Sequence, residues 1–539
     1  MMNELPLTIG YWLAALAPLA ALLIMLVGFK WSAPKSGTIS VIIAIILAFT
    51  MYQAPIQTLL VATGKGLWDA LSVLLIIWTA MLLYQVSDRA SAFHAIRQGV
   101  LKYSRNYLFL ILAFGWVFAS FMQGIAGFGT PIAVVAPLLI GIGVKPVFAV
   151  VIPLIGHNWA NTFGSLGVAW LAANQIITFD NPAQAALIAA IPLWFLNLFS
   201  GLVITYIYGK WEGVKQGLPA VLLISFIHGG GQMLLAPIEP TLANFVPTII
   251  AFGVLLLLPK LKRYRENQGI KSDILISQDE QQIEEIYEGN KLSLIDAIMP
   301  YVFLSVVTVI GLAIPSVKAF LSQFYVGFSF PETTTGFNFV VPEAAPFGPI
   351  RVFTTPAFFI LLSAIFAYLW YKAKGMYNGV TFMTIFKEFL GGVVKSTISI
   401  SMFLIMANML EHTGQTSVLA FGIAKVSSPL MYAGLSHWIG MIGSFMTSSN
   451  TASNILMSPL HQSVVADMSG LSLSTVIAGQ TSGGALGNAI APSNIILGVT
   501  TARIENKSSE VLKYTLTFSI LAGMMVSGII MLIHLFMPV

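Results

Sequence analysis

Apolar runs of about twenty residues recur along this chain, and they constrain its fold more than any other feature. A helix needs about 20 apolar residues to cross the hydrocarbon core of a bilayer. Only 9% of the residues are charged, against about 25% in soluble domains, so these runs need lipid as their solvent. The sequence therefore predicts an all-α polytopic membrane protein with about 12–14 transmembrane helices.

Two polar, glycine- and serine-rich interruptions occur inside apolar segments, one in each half of the chain. Residues 120–139 read SFMQGIAGFGTPIAVVAPLL, and residues 444–460 read SFMTSSNTASNILMSPL. A second interruption follows each of them, GHNWANTFGSLG from Gly156 and GQTSGGALGNAIAPSN from Gly479. Broken segments at matching places are typical of secondary transporters that bind substrate near the bilayer midplane. We therefore expect two pseudo-symmetric halves with broken helices or re-entrant hairpins; the exact span count decides whether they are inverted or parallel, and inverted is favoured.

The longest polar run separates the two halves and carries Asp279, Glu280, Glu284, Glu285 and Glu288. It predicts an N-terminal transmembrane half at 1–258, a cytoplasmic linker at 259–293 and a C-terminal transmembrane half at 294–539. Cytoplasmic loops are rich in Lys and Arg, and basic residues cluster at 89–105, 260–271, 372–387 and 503–513. Residues 321–350 contain no Lys or Arg, so we expect them outside, together with both termini.

The interruptions combine free backbone amides with neutral hydrogen-bonding side chains. Glycine lets the backbone leave helical dihedrals, and the N-terminus of a half-helix offers unpaired N–H groups and a positive dipole end, which suit a carboxylate. Close packing of helices through small residues is the alternative explanation. The predicted substrate site comprises Gln123, Gly127, Gly129, Thr130, His157, Asn158, Asn161, Ser448, Ser449, Asn450, Thr451, Asn454, Gln480, Thr481, Ser482 and Asn488.

Two ionisable residues within apolar segments are candidates for coupling transport to an ion gradient. His157 can carry a proton, since histidine titrates near neutral pH, or it can be a neutral histidine bonded between helices. Lys395 can pair with a substrate carboxylate or extend to the cytoplasmic interface. Asp69 is predicted to be a helix-terminal charge and Glu411 an interfacial one.

Several function classes have no support in the sequence. Cysteine is absent, which excludes disulfides, thiolate metal sites and cysteine nucleophiles. The seven histidines lack metal-ligand spacing, and there is no Walker A or nucleophile-elbow motif, so we expect no metal, no cofactor, no ATP drive and no enzyme. The net charge of +5 reflects basic loops rather than nucleic-acid binding.

The run GFGTPIAVVAPLLIGIGVKP, at residues 127–146, closely resembles the signature of the L-lactate permease family. MTSSNTASN from Met446, GQTSGGALGNAIAPSNI from Gly479, MPYVFLSVV from Met299 and ENKSSEVLKYTLTFS from Glu505 also fit that family. The resemblance extends from about residue 10 to 535. It implies a secondary transporter of the bacterial inner membrane that imports L-lactate or a related 2-hydroxy acid such as glycolate with protons. Its partners would be a small organic anion, a coupling cation and the lipid bilayer.

Three positions depart from the family pattern by losing a charge. Gln123 stands where the family has a glutamate, Asn450 where it often has an aspartate, and Asn488 where it often has a lysine. An amide keeps the hydrogen bonding of a carboxylate but does not take up its proton. The alternatives are therefore a different organic anion or sodium coupling on the same scaffold, a passive solute channel and, last, a membrane enzyme.

Overall fold

The computed structural model describes residues 5–29, 31–102, 104–125, 127, 129–276, 292–377 and 379–537. The predicted linker residues from Asp279 to Glu288 therefore lie outside the described residues. The N-terminal half is helical, with α1 (Ile9–Leu23), α2 (Ala33–Thr50), α3 (Ile56–Arg89), α4 (Ala92–Leu101), α5 (Tyr107–Leu112), α6 (Ala119–Ile125), α7 (Thr130–Ile140), α8 (Pro146–His157), α9 (Gly164–Ile176), α10 (Pro182–Ser225), α11 (Gly231–Leu235), α12 (Phe245–Leu255) and the short α13 (Lys262–Arg265) after it.

The C-terminal half is also helical except for two small hairpins. Strand β1 pairs antiparallel with β4, and β2 pairs antiparallel with β3. The elements are α14 (Leu294–Ala313), α15 (Pro315–Leu321), β1 (Tyr325–Phe330), β2 (Thr333–Thr334), β3 (Val340–Val341), β4 (Ala344–Arg351), α16 (Pro356–Ala373), α17 (Phe382–His412), α18 (Gln415–Ala424), α19 (Pro429–Thr447), α20 (Asn450–Asp467), α21 (Leu473–Gly487), α22 (Pro492–Thr501) and α23 (Ser508–Phe536).

Nine helical segments among the described residues are long and apolar enough to cross a membrane, which confirms the predicted polytopic all-α class. One of them, Pro182–Leu235, is 54 residues long and is interrupted at Gly209 and Lys210, which leave helical dihedrals. The segment folds back there, because Gly213 lies against the carbonyl oxygen of Thr205 and Gly201 lies against Val221. It therefore contributes two packed helical arms rather than one long span.

The two halves repeat the same order of helices and are inverted relative to each other. Helices α2, α3 and α4 have 18, 34 and 10 residues, and α16, α17 and α18 have 18, 31 and 10. Helix α1 packs on α18 and α14 packs on α4, so the halves exchange equivalent contacts. The end of α3 meets the start of α17 through Arg89 and Glu388, whereas Asn408, late in α17, bonds Asp69. Helices α3 and α17 thus run antiparallel, as the favoured inverted arrangement requires for corresponding helices.

The basic segments and the β-hairpins lie at opposite ends of the helix bundle. Arg89 and Glu388 mark one end of α3, while Thr58 at its other end donates to the carbonyl oxygen of Thr334 at 3.0 Å. Residues 262–276 join the basic end, since the carbonyl oxygen of Tyr264 accepts from the Ser104 hydroxyl and the carbonyl oxygen of Asp273 accepts from Lys145 Nζ. The hairpin residues 325–351 cap the opposite end of α3.

Helices α19 and α21 approach each other at backbone contact distance through glycine. A Cβ atom on Gly483 would lie 1.8 Å from the carbonyl oxygen of His437, and one on Gly440 would lie 2.0 Å from that of Gln480. The first half has an equivalent contact, because a Cβ on Gly156 would lie 2.0 Å from the carbonyl oxygen of Gly115. Small residues allow such close approach between membrane helices, and here they hold the interrupted segments in place.

We predict that Gly483→Ala lowers the midpoint of thermal unfolding of the purified protein in detergent. The added methyl group has no space beside the carbonyl oxygen of His437, and overpacking of this kind costs about 1–3 kcal/mol. Gly528→Ala on α23 is the matched control, because nothing lies within 4 Å of its Cβ position. Equal unfolding midpoints for the two variants would contradict the close contact.

Candidate functional site

All four interruptions predicted from the sequence break helices in the structure. Helix α6 ends at Ile125 and α7 begins at Thr130, with Gly129 at a φ of 85°. Helix α9 opens with left-handed dihedrals at residues 165–167, and Ser448, with a φ of 57°, separates α19 from α20. The last break, between α21 and α22, has extended backbone at Ala491. Left-handed serines are uncommon and strained, so packing must fix Ser165 and Ser448 in these conformations.

The four interruptions surround one small cavity of about 30 Å³, which has room for one or two water molecules. Both halves contribute to its wall, and none of the described side chains that line it is ionisable. The lining residues are Gln123, Gly127, Gly129, Asn161, Gly164, Ser165, Val168, Ala169, Ser448, Ser449, Asn450, Thr451, Asn488 and Asn494.

The cavity brings together residues of the predicted site that are far apart in sequence. They include Gln123, Asn450 and Asn488, the three neutral residues at which the sequence departs from the family pattern. The predicted residues in its wall are Gln123, Gly127, Gly129, Asn161, Ser448, Ser449, Asn450, Thr451 and Asn488. The predicted set of site residues did not include Gly164, Ser165 and Asn494, although all three lie in the quoted interruptions and Asn494 is one of their hydrogen-bonding side chains. Val168 and Ala169 give no chemical signal in a sequence, because they resemble any apolar helix residue.

Three further predicted residues form a polar layer behind the cavity wall. The Asn454 amide donates to the carbonyl oxygen of Ala169 at 2.9 Å and to the Thr481 hydroxyl at 2.9 Å. The Gln480 amide donates to Ser453 Oγ at 2.9 Å and its oxygen contacts His461 Nε2 at 2.9 Å. These side chains position the wall and do not line the cavity.

The remaining predicted residues lie elsewhere. Asn158 is buried, and its amide has no hydrogen-bond partner among the described residues. Ser482 contacts His437 Nδ1 at 3.2 Å. Thr130 begins α7, but its side chain lies outside the description.

Neither candidate for ion coupling lines the cavity. His157 ends α8, is buried and donates from Nδ1 to the carbonyl oxygen of Pro153 in its own helix. Lys395 is exposed on α17. The expectation for Asp69 was wrong, because this residue lies inside α3, is 1% exposed and accepts from the Asn408 amide at 3.0 Å. Glu411 is the penultimate residue of α17 and is partly buried.

Hydrogen bonds across the breaks satisfy the backbone groups that the interruptions release. The amide N–H of Gly127 donates to Ser165 Oγ at 2.7 Å. Between the halves, the Thr162 hydroxyl donates to the carbonyl oxygen of Thr481 at 3.2 Å, and the Asn161 amide donates to that of Ala485 at 3.3 Å. Unpaired backbone groups are costly in a membrane, so these contacts stabilise the breaks.

Three helices begin at the cavity and direct their positive ends toward it. Gly129 precedes α7, Ser449 caps α20 by accepting from the amide of Ala452 at 3.2 Å, and Asn494 lies in the first turn of α22. All three residues line the cavity. The N-terminus of a helix attracts anions through its dipole and free N–H groups. Neutral amides and three helix N-termini together make a site suited to a small carboxylate.

The chain is similar to several known proteins. A family model described as L-lactate permease matches residues 12–537. The L-lactate permease of Salmonella typhi is 27% identical over 537 residues, which cover 96% of this chain and 95% of that protein. The glycolate permease GlcA of Escherichia coli K12 is 26% identical over 97% of this chain and 95% of its own length. The solved structure of the Alcanivorax borkumensis YdaH transporter is similar over 85% of this chain and 84% of its own, with 12% identity and a TM-score of 0.41.

We predict that Ser165→Ala lowers the thermal unfolding midpoint by removing the acceptor for the Gly127 amide. A buried donor left without a partner costs about 1–3 kcal/mol. Ser305→Ala on α14 is the control, since that hydroxyl only donates to the carbonyl oxygen of Tyr301 in its own helix. If both variants have the same thermal unfolding midpoint as the wild type, the Gly127–Ser165 hydrogen bond does not stabilise the first break.

Proposed function

Because the chain belongs to the L-lactate permease family, we propose that it imports a small monocarboxylate, L-lactate or a related 2-hydroxy acid such as glycolate. The observation that carries the proposal is the cavity at which three helix N-termini and the neutral side chains of both halves meet. Relatives named as L-lactate and glycolate permeases support the same substrate class. Permease names also favour transport over catalysis.

The substrate carboxylate would bind between the two halves. The start of α7 after Gly129 and the start of α20 at Ser449 and Asn450 offer backbone N–H groups and a positive dipole. The 2-hydroxyl group of the substrate both donates and accepts, and amide side chains such as those of Gln123 and Asn488 also do both. A hydroxy acid thus matches the hydrogen-bonding groups of the wall.

Transport would proceed by alternating access. A cavity of about 30 Å³ is too small for lactate, so binding requires the wall to widen. The half-helices can tilt at the breaks. Because the halves are inverted, each half can adopt the arrangement of the other, which gives the protein two equivalent arrangements. Exchange of these two arrangements would open the site first to one side of the membrane and then to the other.

The coupling ion would be a proton, as the family implies, with sodium as the second candidate. Sodium has a specific observation in its favour, because the cavity presents neutral amide and hydroxyl oxygens and no ionisable side chain. A passive channel remains the alternative from another class. Accumulation of substrate against its concentration gradient would exclude the channel.

The proposed orientation places the basic end of the bundle in the cytoplasm of a bacterial cell, because cytoplasmic loops are rich in Lys and Arg. The hairpin residues 325–351 and both termini would then lie outside the plasma membrane. Residues 1–258 and 294–539 would form the two transmembrane halves, joined by a cytoplasmic linker at 259–293.

Uptake of labelled L-lactate into proteoliposomes tests the proposal. We expect accumulation under an inward proton gradient, collapse of that accumulation with a protonophore, and competition by glycolate. Accumulation that needs sodium instead would replace the proton as the coupling ion. Equilibration without accumulation under either gradient would support the channel, and no uptake would rule out lactate as substrate.

A variant of the cavity wall tests where the substrate binds. We expect Gln123→Leu to reduce uptake at low lactate concentration by on the order of ten-fold, because one lost hydrogen bond costs about 1.4 kcal/mol. Gln462→Leu is the matched control, since Gln462 is exposed on α20 away from the cavity. Equal uptake by both variants would place the substrate elsewhere.

A further inference from the structure

A second polar site lies between α3 and α17, outside the cavity. Lys65 and Asp69 are one turn apart on α3 and are 3% and 1% exposed. Glu411 lies on α17 one turn beyond Asn408, which holds Asp69, and Lys65 interacts electrostatically with both carboxylates. Ionisable side chains inside a membrane are costly, so two buried residues of this kind beside the partly buried Glu411 call for a function.

The charges of this cluster do not balance. Two carboxylates face one ammonium group, which leaves one negative charge without a partner when all three are ionised. Asp69 Oδ2 accepts from the Asn408 amide at 3.0 Å, but Asp69 Oδ1 has no hydrogen-bond partner among the described residues. A buried carboxylate oxygen in that situation is unfavourable unless it binds a proton or a cation.

The hairpins close the cluster off at the end of the bundle opposite the basic loops. Trp68 donates to the carbonyl oxygen of Gly348 at 2.9 Å, and Lys65 Nζ lies 5.0 Å from the ring centre of Phe347. The Cβ position of Gly348 would lie 3.8 Å from Asp69 Oδ1 and 3.5 Å from Gln175 Oε1. Strand β4 and helix α9 therefore present neutral groups to the carboxylate.

One further titratable group lies close to the cluster. His412 follows Glu411 on α17 and interacts electrostatically with Lys65. Its Nδ1 atom is already engaged, because it contacts the Thr333 hydroxyl at 2.9 Å. Among the described residues, the groups coupled to Asp69 are thus Lys65, Glu411 and the amide of Asn408.

Helix α9 connects the cluster to the substrate cavity. Its first turns supply Val168 and Ala169 to the cavity wall, and Gln175 near its end faces Gly348 beside Asp69. Helix α17, which carries Glu411, also packs against α20, whose first residues line the cavity. A movement that widens the cavity would therefore change the surroundings of the cluster.

We propose that Lys65, Asp69 and Glu411 form the proton-binding site that couples transport to the proton gradient. One proton adds to a carboxylate oxygen of the Asp69–Glu411 pair, neutralises the excess charge, and leaves again on the other side of the membrane. The single excess charge corresponds to one proton for each monocarboxylate anion, an electroneutral cycle. This inference rests on the proposed function, because it assigns the coupling ion of the same transporter to a place outside the neutral cavity.

The first test is infrared spectroscopy of the purified protein, which detects the C=O band of a protonated carboxyl group without any lactate. We expect a band at neutral pH in the wild type that is lost in Asp69→Asn and in Glu411→Gln, because either change leaves one carboxylate for one ammonium group. Asp467→Asn, an exposed residue at the end of α20, is the matched control and should keep the band. A band that persists in both cluster variants, or is missing in the wild type, would overturn the proposal.

The second test uses proteoliposomes and the ratio of gradient-driven lactate accumulation to lactate exchange. We expect this ratio to fall at least ten-fold in Asp69→Asn and Glu411→Gln and to stay at the wild-type value in Asp467→Asn. An unchanged ratio in both cluster variants would overturn the assignment. If wild-type protein neither accumulates nor exchanges lactate, the proposed function fails, whereas the infrared band still decides whether the cluster binds a proton.

Discussion

The pairing of backbone groups released at the four helix interruptions is the interaction on which the rest of the structure depends. In a bilayer, an unpaired N–H or C=O group costs several kcal/mol, so a broken helix is stable only where other groups satisfy it. Here the partners come from both halves: within the first half Ser165 accepts from the Gly127 N–H, and between the halves the Thr162 hydroxyl donates to the carbonyl oxygen of Thr481. The cavity lies where these contacts bring the two halves together.

In the proposed transport cycle, this arrangement would separate the binding of the anion from the binding of the proton. The cavity offers an anion hydrogen-bond donors and helix dipoles but no counter-charge, so its wall does not change charge with pH. The ionisable groups lie instead between α3 and α17, where Asn408 already holds one oxygen of Asp69. The proposed proton would then bind at a distance from the anion, and α9 links the two places because Val168 lines the cavity while Gln175 lies beside Gly348.

Much of the fold could be predicted from the sequence because its signals are local. Clusters of Gly, Ser and Asn inside apolar runs indicate breaks wherever they occur, and their matched offsets indicate two halves. The Asp69 site could not be predicted in this way, since its partner Asn408 is 339 residues away and the hairpin that buries it has no apolar period. For His157 the local signal was not sufficient. Its polar neighbours indicated a site, but its side chain donates to the carbonyl oxygen of Pro153 in its own helix. Val168 and Ala169 enter the cavity wall only because residues 165–167 turn the backbone.

The inverted relation of the halves explains why charges occur at both ends of the α3–α17 pair. Ala92 at the start of α4 corresponds to Gln415 at the start of α18. The same difference in residue number makes Lys65 correspond to Glu388 and Asp88 to Glu411. At the basic end, Arg89 and Glu388 form an ion pair whose side chains are 43% and 30% exposed, so water and salt screen it. At the other end, the hairpins between α15 and α16 cover Lys65 and Asp69, whereas no strand occurs among the described residues between α1 and α2. Covering one end of this helix pair removes Lys65 and Asp69 from water, and that difference is what would let the proposed proton change the energy of the protein.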